Sequence, residues 1–343
     1  MAAPAPASTS QRGPQDPGRK IAVTGAAGFI GSHLSEALLA RGATVVGIDN
    51  FDPFYAEAIK RANARQVAAS AEASAGTFAL HEIDLCDEVE LARVIEGCDT
   101  IVHLAAKAGV RPSIADPVGY ARANVLGTAS VLAAAQRVGA ARIVCASSSS
   151  VYGNCPTAPF AETMSVDEPI SPYAATKRAN ELQCSTHHSL TGTPVACLRF
   201  FTVYGPRQRP DLAISKFLRA VSAGETITMF GDGSMSRDFT YVDDIVAGIL
   251  AAMDRIDEHG YRVWNLGSDG PVRVDELIAA VGQTVGREPV VKAGPEQPGD
   301  VQRTWADLTR SRAELDYAPA TPLMRGLAAH YRWLCDEGGL AEL

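Results

Sequence analysis

Short apolar runs recur along the chain from position 20 and alternate with stretches of helical periodicity. The runs at 20–24, 44–48, 78–83, 100–104, 142–146 and 194–200 are mostly continuous in apolar residues, the pattern of strands buried on both faces. Between them lie helical stretches at 30–41, closed by Gly42, at 118–138 and at 174–190. Strand and helix in strict turn predict an α/β fold, a doubly wound parallel sheet covered on both faces. The link 50–77 is longer than the others and carries an Ala-rich piece, 56–73, that can form a helix, so it reads as an insertion. After Gly205 the rhythm breaks: prolines at 206 and 210, a helix near 212–223 and the turn-rich GDGSMSR at 231–237. A return to the sheet is expected at 241–253 and 263–266, and small helices with one short strand from Val274 onward. These breaks predict a disordered tail over 1–18 and a main domain over 19–205, to which the chain returns near 239–268. A smaller α/β domain takes 206–238 and 269–343.

The 343 residues exceed one average domain, which agrees with that division. Net charge is −8 and no basic run reaches five residues, so a nucleic-acid partner is not expected, and an anionic ligand needs local arginines. No apolar stretch approaches the about 18 residues of a membrane span. The first 18 residues are rich in Ala, Pro and Ser and lack the apolar run of a secretory signal. Seven scattered cysteines without a CxxC pair fit buried free thiols in a reducing cytoplasm. The seven histidines show no ligand spacing such as HExxH, so no metal is expected.

The first strand runs straight into GAAGFIG, with Gly25, Gly28 and Gly31 three apart and a helix following, opened by Phe29 and Ile30. Glycines there permit the tight turn, close approach of a pyrophosphate to backbone, and close helix–sheet packing. The helix start supplies N–H donors and a positive dipole to the phosphates. The next strand ends in Asp49-Asn50. An acid at that place accepts hydrogen bonds from both adenosine ribose hydroxyls and repels a 2′-phosphate, favouring NAD over NADP. Asp84, followed by Leu85 after the third strand, can serve the adenine amine or cap a helix.

In PYAATK, Tyr173 and Lys177 stand four apart at the start of a helix and share one face. A free phenol titrates near 10 and is a poor base at neutral pH. An ammonium beside it, together with an oxidised nicotinamide, favours the phenolate, which can take a proton from a sugar hydroxyl. The pair gains meaning from the run Ser147 to Ser150 at the carboxyl end of the fifth strand, the crevice where open parallel sheets bind ligands. Without Tyr173 and Lys177 that run reads rather as a turn or helix cap.

With these motifs the chain resembles the extended short-chain dehydrogenase/reductases that act on nucleotide sugars, the NAD-dependent epimerase/dehydratase family. The resemblance rests on TGAAGFIGSHL, HLAAKAGVR, NVLGT, SSSSVYG, PYAATK, RFFTVYGPRQRPD, RDFTYVDDI and PGDV, in order over nearly all of 20–307. It implies a Rossmann domain with a smaller C-terminal sugar-nucleotide domain, paired into a homodimer. It implies Ser148, Tyr173 and Lys177 as the catalytic triad, and Leu104, Ala105, Ala106, Lys107 and Asn124 around NAD. Arg237 matches an arginine that grips the diphosphate, and Asp300 an acid that holds the uridine ribose.

The family includes epimerases, 4,6-dehydratases and decarboxylases, all beginning with oxidation at C4. A dehydratase carries Asp-Glu directly after the triad serine, and a decarboxylase a glutamate just before VYG. This chain has Ser149 and Ser150 there, which cannot act as acid or base at neutral pH. Simple epimerisation of a UDP-sugar is therefore expected. DNFDPFY, AGVR, SSSSVYG and RFFTVYGPRQRPD resemble the enzymes acting on UDP-glucuronate. The hydroxyls of Ser149, Ser150 and Thr202, with Arg209 or Arg111 nearby, can cradle a C5 carboxylate. The alternatives are a UDP-glucose/UDP-galactose 4-epimerase, in which those hydroxyls solvate a neutral C6 alcohol, a related dehydratase or decarboxylase, or a silent NAD-binding sensor.

Overall fold

The computed structural model describes residues 16–295 and 301–336. Seven parallel strands form the central sheet: β1 (Lys20–Thr24), β2 (Thr44–Asp49), β3 (Thr77–Glu82), β4 (Thr100–His103), β5 (Arg142–Ser148), β6 (Val195–Phe200) and, later in the chain, β10 (Tyr261–Leu266). Their order is β10-β6-β5-β4-β1-β2-β3. The connections leave β1 for β2 and β3 on one side and for β4, β5 and β6 on the other. The order therefore reverses at the carboxyl end of β1, where such sheets bind ligands. The expected α/β class and doubly wound parallel sheet are found.

Side chains alternate between two apolar layers, as they must on a sheet covered on both faces. Ile21, Val23, Val45, Val102, Val144 and Leu198 face one core, and Ala22, Val46, Ile101, Ile143 and Val195 face the other. The covering helices are α1 (Phe29–Ala40), α2 (Glu57–Glu72), α3 (Glu88–Val94), α4 (Val110–Ala115), α5 (Pro117–Tyr120), α6 (Gly127–Val138) and α7 (Pro172–Thr191).

Three sequence expectations change. The segment 50–77 is no insertion: α2 is the crossover helix joining neighbouring parallel strands β2 and β3, and its Asn63 donates to the carbonyl of Ala27 in the glycine loop at 3.0 Å. The helix expected over 118–138 is interrupted by a π-helical stretch, Ala121–Leu126, between α5 and α6. Of the tail expected over 1–18, residues 1–15 lie outside the described residues. Asp16, however, is 2 % exposed and pairs with Arg19 and Arg41, so this residue of the expected tail is packed against the domain.

Beyond β6 come β7 (Thr202–Tyr204), α8 (Ala213–Ala223), β8 (Thr226–Phe230), β9 (Ser236–Tyr241) and α9 (Val242–Arg255), which packs back against the main sheet. After β10 follow β11 (Pro271–Arg273), α10 (Val274–Val285), β12 (Val290–Gly294), α11 (Thr309–Leu315) and α12 (Leu323–Asp336). Tyr204, Leu218, Ile227, Phe239, Leu277 and Leu327 gather into a separate apolar core. No helix among the described residues is long and apolar enough to cross a membrane.

Candidate active site

A cleft of about 610 Å³ runs along the carboxyl edge of the sheet. Its floor is built by the glycine loop. Gly25 holds φ +72°, and a Cβ there would come within 3.0 Å of the Ala105 backbone. A Cβ on Gly31 would stand 2.0 Å from the Gly25 carbonyl oxygen. Both positions exclude side chains, so the first turn of α1 sits close under the cleft. Gly28 is the N-cap residue, no side chain caps the helix, and its first turn carries no acid. The N–H groups of Phe29 and Ile30 and the helix dipole are thus left for an anion.

Asp49 closes this half. Its carboxylate is 7 % exposed and accepts from Ala27 N at 3.2 Å and Phe51 N at 2.9 Å, with the Lys60 ammonium 3.9 Å away. Lys60 also donates to the Asp52 carbonyl at 2.9 Å and lies over the Tyr55 ring. Asn50, Asp84, Leu85, Leu104, Ala105, Ala106 and Lys107 line the same wall. Asp84 accepts from Cys86 N at 2.9 Å, whereas the cap of α3 is Asp87, which accepts from Glu90 N at 3.1 Å. A diphosphate cradle, a ribose acceptor and an apolar slot make a donor set that fits a dinucleotide. Asn124 does not line the cleft. It is fully buried in the π-helical stretch, accepts from Lys107 N at 2.8 Å and donates to Lys107 O and Thr176 Oγ1, fixing the wall from behind.

Ser148, Tyr173 and Lys177 all line this cleft. Ser171 caps α7 by accepting from Ala174 N at 3.1 Å, and Pro172 follows, so Tyr173 stands in the first turn. One turn on, Lys177 is 3 % exposed and donates to the Ala146 carbonyl at 2.8 Å, with no carboxylate partner among the described residues. A buried ammonium in that state favours a negative charge placed beside it. Its field also reaches His103, which burial and the Lys177 charge lower to about 3. The neutral imidazole bridges Thr24 Oγ1 at 2.8 Å and Thr128 Oγ1 at 3.0 Å. Ser148 Oγ accepts from both Ser150 N at 3.2 Å and Ser150 Oγ at 2.9 Å, which leaves its own proton to donate.

On the far side Ser149, Ser150, Thr202, Arg209 and Arg237 line the cleft. Arg209 is held on three sides: Asp211 takes two of its N–H groups at 2.9 and 2.7 Å, the Ala108 carbonyl takes one at 3.1 Å, and the Phe54 ring lies 4.8 Å from its centre. Arg237 on β9 donates to Ser236 O at 2.9 Å. Arg111 is not among the cleft-lining residues and rests over the Phe230 ring at 4.8 Å. Asp300 lies outside the described residues.

Several residues of this region escape sequence reasoning. Tyr120 is fully buried, packs edge-on against the Tyr173 ring at 6.2 Å and donates to Ala108 O, the carbonyl that Arg209 also uses. Glu181 and Arg199 form a buried pair beneath Ser147. The one available signal is spacing: Glu181 follows Lys177 by four residues, as Lys177 follows Tyr173.

Residues 21–267 match the model of the NAD dependent epimerase/dehydratase family. The chain belongs to that family. Among its members, the UDP-glucuronate 4-epimerase of Thermodesulfobacterium geofontis is 36% identical over 91% of this chain and 94% of its own. The UDP-glucuronic acid 4-epimerase of Bacillus cereus, solved with UDP-glucuronic acid and NAD, superposes with a TM-score of 0.87 at 34% identity, over 93% of this chain and 99% of that one. The dTDP-glucose 4,6-dehydratase DesIV of Streptomyces venezuelae, solved with NAD and TYD, gives 0.85 at 30% identity over 93% and 98%.

For a member of this family the burial of Asp49 has a measurable consequence. Desolvation raises its carboxyl above the ordinary 3.8, although Lys60 and the two backbone N–H groups pull it back. An ionised carboxylate at this place can accept two ribose hydroxyls, and a protonated one loses an acceptor. NAD affinity is expected to be full at neutral pH and to fall as pH drops through that raised value. Asp49→Asn should bind NAD more weakly and flatten the profile. Titration calorimetry across acid pH checks this, and an identical profile for the variant refutes it.

Proposed function

We propose that this chain is an NAD-dependent UDP-glucuronate 4-epimerase, which oxidises C4, turns the 4-ketone over and reduces it from the opposite face to give UDP-galacturonate. The observation that carries this reading is one cleft holding Ser148, Tyr173 and Lys177 together with the donors Ser149, Thr202 and Arg209. The two positions after Ser148 bear no carboxylate that could eliminate water.

NAD, when bound, supplies the acceptor and the donor of the C4 hydride. Tyr173 takes the proton of the C4 hydroxyl and returns it after the sugar has turned. Lys177 provides positive charge one helical turn away. Ser148 donates its O–H to the C4 oxygen, because Ser150 fills its acceptor positions. Arg237 grips the diphosphate about which the sugar swings, and Asp300 holds the uridine ribose. The 4-ketone beside a C5 carboxylate is a β-keto acid, which loses CO₂ when the carboxylate stands perpendicular to the ketone plane. Ser149, Thr202 and Arg209 hold it out of that alignment.

Incubating the purified protein with UDP-glucuronate and following the sugar signals by NMR tests the proposal. UDP-galacturonate without pentose is expected. A UDP-pentose with CO₂ would overturn the carboxylate argument, and turnover of UDP-glucose alone would overturn the substrate.

The second apolar core supports a smaller domain over 206–238 and 269–343 beside a Rossmann domain of 19–205 and 239–268, although Ala306, Leu308, Leu315 and Tyr317 pack into the main core. Exposed Val118, Leu126, Leu182 and Leu190, on α5, the π-helical stretch and α7, support pairing of two copies into a homodimer. All seven cysteines are free, four of them buried, which supports a reducing, cytoplasmic setting.

A further inference from the structure

Behind the catalytic serine lies a buried ionic cluster that the reaction does not use. Glu181, whose side chain is 0% exposed, accepts from Ser147 Oγ at 2.7 Å, from Arg199 Nε at 2.8 Å and Nη2 at 2.9 Å, and from Arg178 Nη1 at 3.3 Å. Arg199 is the register partner of Ser147 on the neighbouring strand and of Asn265 on the next. Its guanidinium lies over the Tyr152 ring at 4.8 Å, and the Tyr152 hydroxyl donates to Asn265 Oδ1 at 2.7 Å. Two adjacent strands, β5 and β6, thus converge on one carboxylate of α7, and Tyr152 links Arg199 to Asn265 on the third. Burial pushes the Glu181 carboxyl up, but Arg199 and Ser147 outweigh it and hold the group below its ordinary value, so it is a carboxylate.

The placement along α7 is the informative part. Tyr173, Lys177 and Glu181 succeed one another at single turns on one helix face. Lys177 is tied to the carbonyl of Ala146 and Glu181 to the hydroxyl of Ser147, so consecutive β5 residues are pinned to consecutive turns of α7. The residue after that pair on β5 is Ser148, and the turn before it on α7 carries Tyr173. Apolar packing tolerates small slips between a helix and a strand, whereas hydrogen bonds of fixed length do not. Replacing a buried ion pair by apolar residues is often neutral or stabilising, so stability alone is a weak reason for this one.

The geometry points to Glu181, with Arg199 and Ser147, as a positioning clamp that fixes the distance between Ser148 on β5 and Tyr173 on α7. The inference rests on the proposed roles of those two residues. Because the clamp sets the spacing of groups around the reacting C4 oxygen, loosening it lowers kcat for every sugar the enzyme oxidises and leaves sugar and NAD binding intact. A misplacement on the order of 1 Å costs up to about 100-fold in rate.

Ser147→Ala removes one hydroxyl and keeps the Glu181–Arg199 pair. It is expected to lower kcat roughly 10-fold on UDP-glucuronate and UDP-glucose alike, with KM and NAD affinity within about 2-fold. Ser147→Thr, which restores the hydroxyl, should recover most of the rate. Glu181→Gln should lose about 100-fold in kcat; should it fail to fold, the serine pair decides alone. Wild-type kcat in Ser147→Ala with a lowered melting temperature overturns the clamp, as does a loss that appears in KM or NAD binding. If the wild-type enzyme proves selective for another nucleotide sugar, the proposed substrate falls, and the serine variants are read on that sugar instead.

Discussion

Tyr173→Phe is expected to lower kcat by about 10³-fold while leaving NAD bound and the fold unchanged. Positioned general acid–base groups contribute about 10²–10⁴-fold, and in the proposed mechanism one phenol oxygen both removes and returns the C4 proton. Phenylalanine keeps the ring that packs edge-on against Tyr120 at 6.2 Å, so the neighbouring wall stays in place. Lys177 keeps its bond to Ala146 O, and the glycine loop, Asp49 and Lys107 are not touched by the change. The loss therefore falls on the chemical step. Turnover by NMR, with NAD content measured after gel filtration, separates the two readouts. A rate within about 10-fold of wild type would remove Tyr173 as the base, and loss of NAD together with activity would make it a packing residue.

The residues that the sequence exposes well are those whose role is local. β1, β2, β4 and β5 are covered on both faces and read as continuous apolar runs, so their expected and observed bounds differ by at most two residues. The Gly25–Gly31 loop follows directly from β1, and Tyr173 and Lys177 lie one turn apart on one helix, so proximity in sequence is proximity in space. What the sequence hides depends on long-range pairing. The link 50–77 reads as an insertion because it is longer than the others, and its attachment is long-range: Val67 is buried in the main core, Ala64 packs on Ala27 and Phe51, and Asn63 donates to Ala27 O. The π-helical stretch costs no apolar periodicity that a pattern could register, yet it buries Asn124 behind Lys107. Glu181 and Arg199 stand 18 residues apart and meet only because α7 packs across β5 and β6. Burial of charge is the common thread. Asp49, Lys60, Lys177, Glu181 and Arg199 are each under a tenth exposed, and a composition of ordinary charge gives no sign of it.

Arg209→Leu is expected to raise KM for UDP-glucuronate by about 100-fold and to change kcat/KM for UDP-glucose by less than about 3-fold. The guanidinium has five N–H groups: Asp211 takes two and Ala108 O one, leaving two for a ligand. Two hydrogen bonds to a carboxylate, at roughly 1.5–3 kcal/mol for one to a charged group, correspond to 100-fold even after partial screening by Asp211, since about 1.4 kcal/mol is tenfold. Leucine retains apolar contact with Phe54, and Asp211 keeps access to water, its side chain being 39% exposed, so no buried charge is stranded. A neutral C6 alcohol has no charge for Arg209 to meet, which is why the effect divides the two substrates. The same variant should release a small amount of CO₂ with UDP-pentose, because Ser149 and Thr202 alone hold the carboxylate less firmly out of the decarboxylating alignment. Steady-state kinetics on both sugars, with products resolved by NMR, make the comparison. An equal loss on UDP-glucuronate and UDP-glucose would assign Arg209 to tying Ala108 and Phe54 together, and would leave the carboxylate to the hydroxyls alone.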